Sequence, residues 1–334
     1  MKKHELKSVI LHITDACTSH CPYCYACAGV NNSQFADSEK LYQIIDILSS
    51  YGIERISLLG GDPVLHPNIM DIAKKAFYSG IHVGIMSNTM NFPVSFQEVT
   101  HYIDTFETTI HGKNSDEHDS FSMAEGSYKN LTKHLRELSE FDVTIGIAIN
   151  IIPQNVDAIY DAIKNLLLIE KIKISYVILQ RIVPFGRAAK KPEFLLDKEL
   201  VNIAMENVDR IAKDLGINIL VEDPFPLCAM DEKYRKYMSP CEWGFTKAAL
   251  NGEGDITRCG ADPRYLLGNI FQTPLKEIWE ESPMLKRFRE REYLPNSCKT
   301  CQLVNRCGGG CALGTSQHAD LGCDYLINNS FNGT

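Results

Sequence analysis

The residues that could carry chemistry in this chain are its twelve cysteines, because they are grouped: four stand at 17, 21, 24 and 27, none between 28 and 227, and eight between 228 and 323. A disulfide framework belongs to short exported domains, and this chain is long and opens without an export signal, so clustered thiols read as metal ligands. Cys17-Thr-Ser-His-Cys21-Pro-Tyr-Cys24 has the spacing C-x3-C-x2-C. Three thiolates of one loop at that spacing can reach three corners of an iron-sulfur cube and leave its fourth iron open. An open coordination position makes a metal centre reactive rather than structural, as in catalytic zinc. Two other readings fit the same residues: Cys21, Cys24 and Cys27 form a ferredoxin-like C-x2-C-x2-C, and any Cys-x2-Cys pair suits a zinc knuckle.

The elements that must position this loop can be read from periodicity. Runs rich in Val, Ile and Thr at 7–14, 55–59, 82–87, 106–111, 143–150 and 173–182 predict six strands. Between the first two, Leu41, Ile44, Ile45 and Leu48 share one helical face and Gly52 supplies a stop. Further helices are predicted at 68–79, 127–140 and 156–171, with another helix at 198–214 and a strand at 217–222. Consecutive βα units imply parallel strands and right-handed crossovers, in an open sheet or a barrel. Loops after the carboxyl ends of such strands build the active site. The first cysteine group, Gly60-Gly61-Asp62-Pro63, Ser87-Asn88 and His111-Gly112 all follow predicted strands and converge on one rim. A cube-binding loop at the end of the first strand of a βα repeat is more than a zinc knuckle or a ferredoxin requires.

Composition narrows the rest. With 34 Lys plus Arg against 42 Asp plus Glu, the net charge is -8, which argues against nucleic acid as a partner. No run approaches the roughly 18 apolar residues of a membrane span, and the opening run is broken by His12 and Thr14. A cytoplasmic protein is expected.

At this point the loop resembles the C-x3-C-x-aromatic-C signature of radical S-adenosylmethionine (SAM) enzymes, with Tyr23 in the aromatic place. The resemblance implies that Cys17, Cys21 and Cys24 hold a 4Fe-4S cluster whose fourth iron binds the amino and carboxylate groups of SAM, which an electron then cleaves to methionine and a 5'-deoxyadenosyl radical. Cys27 lies outside the signature and is expected to pack as a small buried hydrophobe. Gly60-Gly61-Asp62-Pro63 is similar to the family's GGE motif, with Asp62 where Glu is more usual, and implies backbone contacts to the SAM amino group that glycine would permit. Ser87 and Asn88 match a polar pair that faces the SAM ribose or carboxylate; strand-end capping is the competing account. Thr109 and His111 replace the Ser and Asp of a further family element, and neither His111 nor His118 is assigned a proton-transfer role. Arg181-Ile-Val-Pro184-Phe-Gly186-Arg187-Ala188 is similar to an R-x-x-P-x-GRA segment, so Arg181 could fork onto substrate or a SAM carboxylate, or form an ion pair.

The second cysteine group resembles a SPASM domain: Cys241-x12-Gly254-x4-Cys259, then Cys298-x2-Cys301-x5-Cys307-x3-Cys311, then Cys323. Two tetrahedral zinc sites could use the same thiols. The resemblance implies two auxiliary 4Fe-4S clusters, the nearer on Cys241, Cys259 and Cys311, the farther on Cys298, Cys301, Cys307 and Cys323. That leaves the nearer one ligand short. Cys228 is the available candidate, as ligand, as hydrogen-atom donor to a substrate radical, or as packing.

Together these resemblances imply a partial (β/α)6 TIM-like barrel over 1–225 and a small iron-sulfur domain over 226–334, with SAM and three 4Fe-4S clusters as cofactors. The expected function is hydrogen abstraction from a ribosomally made precursor peptide, installing a thioether or carbon-carbon crosslink. A peptide epimerase with Cys228 as donor and a formylglycine-forming sulfatase maturase are enzymatic alternatives; an iron-sulfur carrier or a zinc-stabilised binding protein is the alternative without chemistry. A flavodoxin- or ferredoxin-type donor is implied. Because the first strand begins near residue 7, leader recognition is expected to fall to the barrel, the C-terminal module or a separate protein.

Overall fold

A computed structural model of the chain describes residues 4–92, 95–262, 265–313 and 324–328. The Val- and Ile-rich runs form β1 (Ser8–His12), β2 (Arg55–Leu59), β3 (His82–Met86), β4 (Thr105–Ile110), β5 (Thr144–Ile151), β6 (Tyr176–Arg181) and β7 (Asn218–Glu222). Each lies parallel to the next in sequence order. The crossovers run through α1 (Ser38–Tyr51), α2 (Ile69–Tyr78), α3 (Phe96–Val99), α4 (Ser115–Ser122), α5 (Ser127–Leu138), α6 (Ile159–Lys164) and α7 (Lys198–Arg210).

Local chemistry sets the helix limits. Asp37 caps α1 by accepting from the Lys40 backbone N–H at 3.0 Å, and Gly52, at φ 95°, ends it in the left-handed conformation that glycine adopts without penalty. Leu41, Ile44, Ile45 and Leu48 are fully buried against the sheet, at about 1.5–3 kcal/mol each. The helix predicted over 156–171 is α6 flanked by a tight turn at Val156–Ala158 and a wider π turn at Asn165–Ile169.

The sheet does not stop at residue 225. β8 (Lys247–Asn251) pairs parallel with β1, and β9 (Asp255–Thr257) and β10 (Leu266–Asn269) continue it antiparallel. The result is one ten-stranded sheet in the order β10-β9-β8-β1-β2-β3-β4-β5-β6-β7. It curls into a partial barrel that is not closed, its edge strands being β7 and β10. Beyond it come α8 (Leu275–Glu281) and α9 (Pro283–Arg289); buried Trp279 of α8 donates from Nε1 to the His4 carbonyl at 2.8 Å, tying this segment back to the start of the chain. Among the described residues no helix is long and apolar enough to cross a membrane.

Candidate active site

Alternate residues of a strand face the same side, and in β4 and β6 one such set, Glu107 and Thr109 with Tyr176, Ile178 and Gln180, lines a cavity of about 860 Å³ inside the barrel. Its rim carries Cys17, Cys21 and Cys24, with Tyr23, Gly60, Gly61, Ser87, Asn88, Thr109 and Arg181 also on the wall. On the other side the wall includes Cys259, Gly260 and Ala261. One chamber is therefore faced by thiols from both ends of the sequence.

The cysteine loop is held from three directions. Asn88 Nδ2 donates to Cys17 Sγ at 3.4 Å, Thr18 Oγ1 at 3.0 Å and Ser19 Oγ at 3.2 Å. Arg187 donates from Nε to the Cys21 carbonyl and from Nη1 to the Ala28 carbonyl, each at 2.7 Å. Gly186 beside it sits at φ 57°, where an added Cβ would lie 2.3 Å from the Tyr25 carbonyl oxygen. The third support is Tyr23, whose hydroxyl meets His111 Nδ1, while His111 Nε2 lies 4.0 Å from Cys21 Sγ. His118 Nδ1 accepts from the His111 backbone N–H at 3.2 Å. Arg187 was visible in the sequence as the Arg of the GRA segment, and its clamp on the loop carbonyls is what the sequence alone did not supply.

The GGDP turn packs against the segment that leads into Cys17. Gly61 and Asp62 donate their backbone N–H groups to the carbonyls of Thr14 and Ala16 at 2.7 Å each, and a Cβ on Gly60 or Gly61 would fall 2.2 or 2.1 Å from those same oxygens. The glycines permit close approach of the strand that leads into Cys17. Asp62 and Pro63 do not line the cavity: both are buried, and Asp62 caps the turn at Pro63–Leu65 by accepting from the Val64 N–H. Burial pushes the Asp62 carboxyl up to about 7.

Arg181 faces the cavity wall but is committed elsewhere. Its guanidinium forks onto Asp324 at 2.5 and 3.2 Å, between the rings of Phe225 and Tyr325. Cys27, expected to be buried, is exposed at φ 54°. Cys228 is exposed on the turn Leu227–Ala229 and is not among the residues that line the cavity.

In the C-terminal part, burial pushes Cys241 up to about 11 and Cys259 up to about 12, Cys241 lies close enough to act on Cys259, and both act on Cys311. Cys307 Sγ accepts from the Leu227 N–H at 3.3 Å, and Cys301 Sγ from the Leu303 N–H at 3.4 Å; Cys298 is half-buried. Cys323 lies outside the described residues.

The donor sets fit clusters better than single ions. Among the described residues no three His, Cys, Asp or Glu groups lie close enough together to hold one metal ion, yet the thiols share common faces. Burial pushes Cys17 up to about 11 and Cys21 up to about 12, so their thiolates require a cationic partner such as iron. Beside Cys241 and Cys259, buried Arg258 has no hydrogen-bond partner on Nε or Nη2. A buried cation with orphan donors suits an anionic thiolate-bound group.

Comparison with known proteins agrees. The Radical SAM superfamily matches residues 11–166, and the SPASM iron-sulfur cluster-binding domain matches residues 241–302. The chain is 24% identical over 324 residues to an AdoMet-dependent heme synthase of Methanosarcina barkeri, covering 89% of this chain and 88% of that protein. It is 20% identical over 316 residues to a PqqA peptide cyclase of Ruegeria pomeroyi, covering 91% and 82%. In fold it is similar to SuiB of Streptococcus suis, solved bound to S-adenosylmethionine, with TM-score 0.77, 16% identity and coverage of 97% of this chain and 77% of that one. SuiB has also been solved bound to its precursor peptide SuiA, at TM-score 0.76, 17% identity and coverage of 97% and 76%. The three-thiol loop on the barrel rim, the thiols gathered behind it and these matches lead to one assignment: the chain is a radical SAM enzyme with a SPASM domain.

Proposed function

We propose that this enzyme oxidises a ribosomally made precursor peptide by hydrogen abstraction at Cα or Cβ, forming a thioether or carbon-carbon crosslink. One observation carries the reading: the Cys17-Cys21-Cys24 loop and Cys259 of the SPASM portion face the same 860 Å³ cavity. When bound, SAM and three 4Fe-4S clusters supply a carbon radical that takes hydrogen from the substrate and a sink for the surplus electron. Cys17, Cys21 and Cys24 hold the first cluster. Cys241, Cys259 and Cys311 hold the second, and Cys298, Cys301, Cys307 and Cys323 the third.

The chain's own residues position and enclose. Arg187, Asn88 and the Tyr23–His111 pair fix the loop, and Ser87, Asn88, Gly60, Gly61 and Thr109 offer polar atoms on the wall where SAM would lie. The barrel encloses the reacting carbon, which is how an enzyme aims a radical at one bond and keeps water out. A precursor peptide, a flavodoxin- or ferredoxin-type donor and either an internal or a separate leader-binding surface are the partners this reading requires. The division at 225/226 is kept as a division of tasks, since the sheet runs across it.

Similarity to the heme synthase over most of the chain favours a second reading, in which a haem-type substrate occupies the cavity. Co-expression with a small peptide encoded beside this gene separates the two. A crosslink removes two hydrogens, so the peptide should lose about 2 Da. An unchanged peptide mass with deuterium taken up at one Cα indicates epimerisation, and an untouched peptide removes the peptide reading.

A further inference from the structure

The three-cysteine site in the SPASM portion has three thiols for a cluster of four irons. Cys228, the candidate nearest in sequence, is exposed, and the N–H of its neighbour Leu227 points to Cys307 of the other set. The missing donor is better sought among side chains that share a wall with Cys259.

Asp223 has the required features. It follows β7 directly, lines the cavity together with Cys259, Gly260 and Ala261, and accepts no hydrogen bond from any described residue. Its neighbour Glu222 is committed, accepting from Lys247 Nζ at 3.0 Å and from Gln180 Nε2 at 3.1 Å. Asp223 is held at φ 53°, a left-handed conformation that Asp adopts more readily than most residues with a Cβ. This turns the chain out of β7 and breaks the strand alternation that would otherwise point residues 222 and 223 to opposite faces. Asp223 lies close enough to Cys241, Cys259 and Cys311 for its charge to reach all three thiols. Arg258 supplies a compensating cation beside Cys241 and Cys259.

We propose that the Asp223 carboxylate is the fourth protein ligand of the iron-sulfur cluster held by Cys241, Cys259 and Cys311. An oxygen donor carries the same charge as a thiolate but is harder, so the iron it binds differs from the other three. The site is then closed by protein, and substrate reaches the cavity without binding this cluster. The proposal rests on the cluster assignment made above.

The test uses the full chain with Cys17, Cys21 and Cys24 all replaced by Ala, which removes the first cluster and leaves about eight irons on the other two. Adding Asp223→Ala should change the electron paramagnetic resonance spectrum of the reduced protein and make it respond to added 2-mercaptoethanol, while the parent does not respond. Asp223→Cys should keep about eight irons, shift the spectrum and stay insensitive to 2-mercaptoethanol. Should Asp223→Ala fail to fold, the Asp223→Cys spectrum decides alone. A spectrum superimposable on the parent's for either variant overturns the proposal, and if turnover by the otherwise native chain is lost as well, the carboxylate acts on substrate instead. A parent that binds no iron overturns both this ligand and the assignment beneath it.

Discussion

Lys247, the first residue of β8, places its Nζ 3.0 Å from the carboxylate of Glu222, the last residue of β7. No backbone ladder joins these two strands; both side chains line the cavity, so the ion pair links β7 to β8 across the barrel interior. Although burial works against both charges, each partner holds the other ionised: Glu222 lies below its ordinary range and Lys247 above.

Replacing Lys247 with Met leaves Glu222 unpaired in the cavity wall. Removing one member of a buried pair costs about 3–5 kcal/mol, and access to the cavity water puts this pair near about 3 kcal/mol. Thermal unfolding should show Lys247→Met well below the native chain and the double variant Lys247→Met, Glu222→Gln partly restored. Equal melting of the single variant and the native protein would show that the pair adds nothing to stability.

Asp62 makes stability fall with rising pH. Its carboxyl is raised by burial from 3.8 to about 7 in the folded chain, so between those values the folded state binds more protons than the unfolded state. Stability is fullest below about pH 4, declines up to about pH 7 and is level above. Asp62→Asn keeps an oxygen for the Val64 N–H and should flatten the slope between about pH 4 and 7, gaining up to about 4 kcal/mol at the upper end. Parallel slopes for both proteins in melting curves would contradict the burial argument.

Gly61 bears on the first cluster without touching it. A Cβ there would stand 2.1 Å from the Ala16 carbonyl, one residue before Cys17. Gly61→Ala should displace the loop, and reconstituted protein should lose about four of about twelve irons. Full iron content would show that the loop adapts.

Arg181 and Asp324 form a buried pair between the end of β6 and the segment that follows Cys323. Arg181→Met should cost about 3–5 kcal/mol by stranding the carboxylate. A double-mutant cycle with Asp324→Asn measures the coupling, and strict additivity would mean the two side chains act independently.

Much of this was legible in the sequence because its signals are local. Strand runs and the α1 face follow from periodicity, and the cysteine loop from spacing that one turn of chain can satisfy. Strand β8 is not legible in the sequence because dense Cys, Gly and Pro content hides a strand whose partner, β1, is more than 230 residues away. The GGDP motif gives residue order and not the direction of a short side chain, so the inward turn of Asp62 that caps Pro63–Leu65 is not legible in it. Arg181 was left open between ligand and ion pair because Asp324 is 143 residues distant. Cys27 was expected to be buried because cysteine commonly is, but the loop turns outward at that residue.

Thiols 17, 21 and 24 line the cavity, where they would hold a cluster that splits SAM. Release of 5'-deoxyadenosine under anaerobic conditions with SAM and a reductant measures this directly. The native chain should release it, and the variant with all three cysteines replaced by Ala should release none. Equal release by both proteins would show that these thiols do not hold the SAM-splitting cluster.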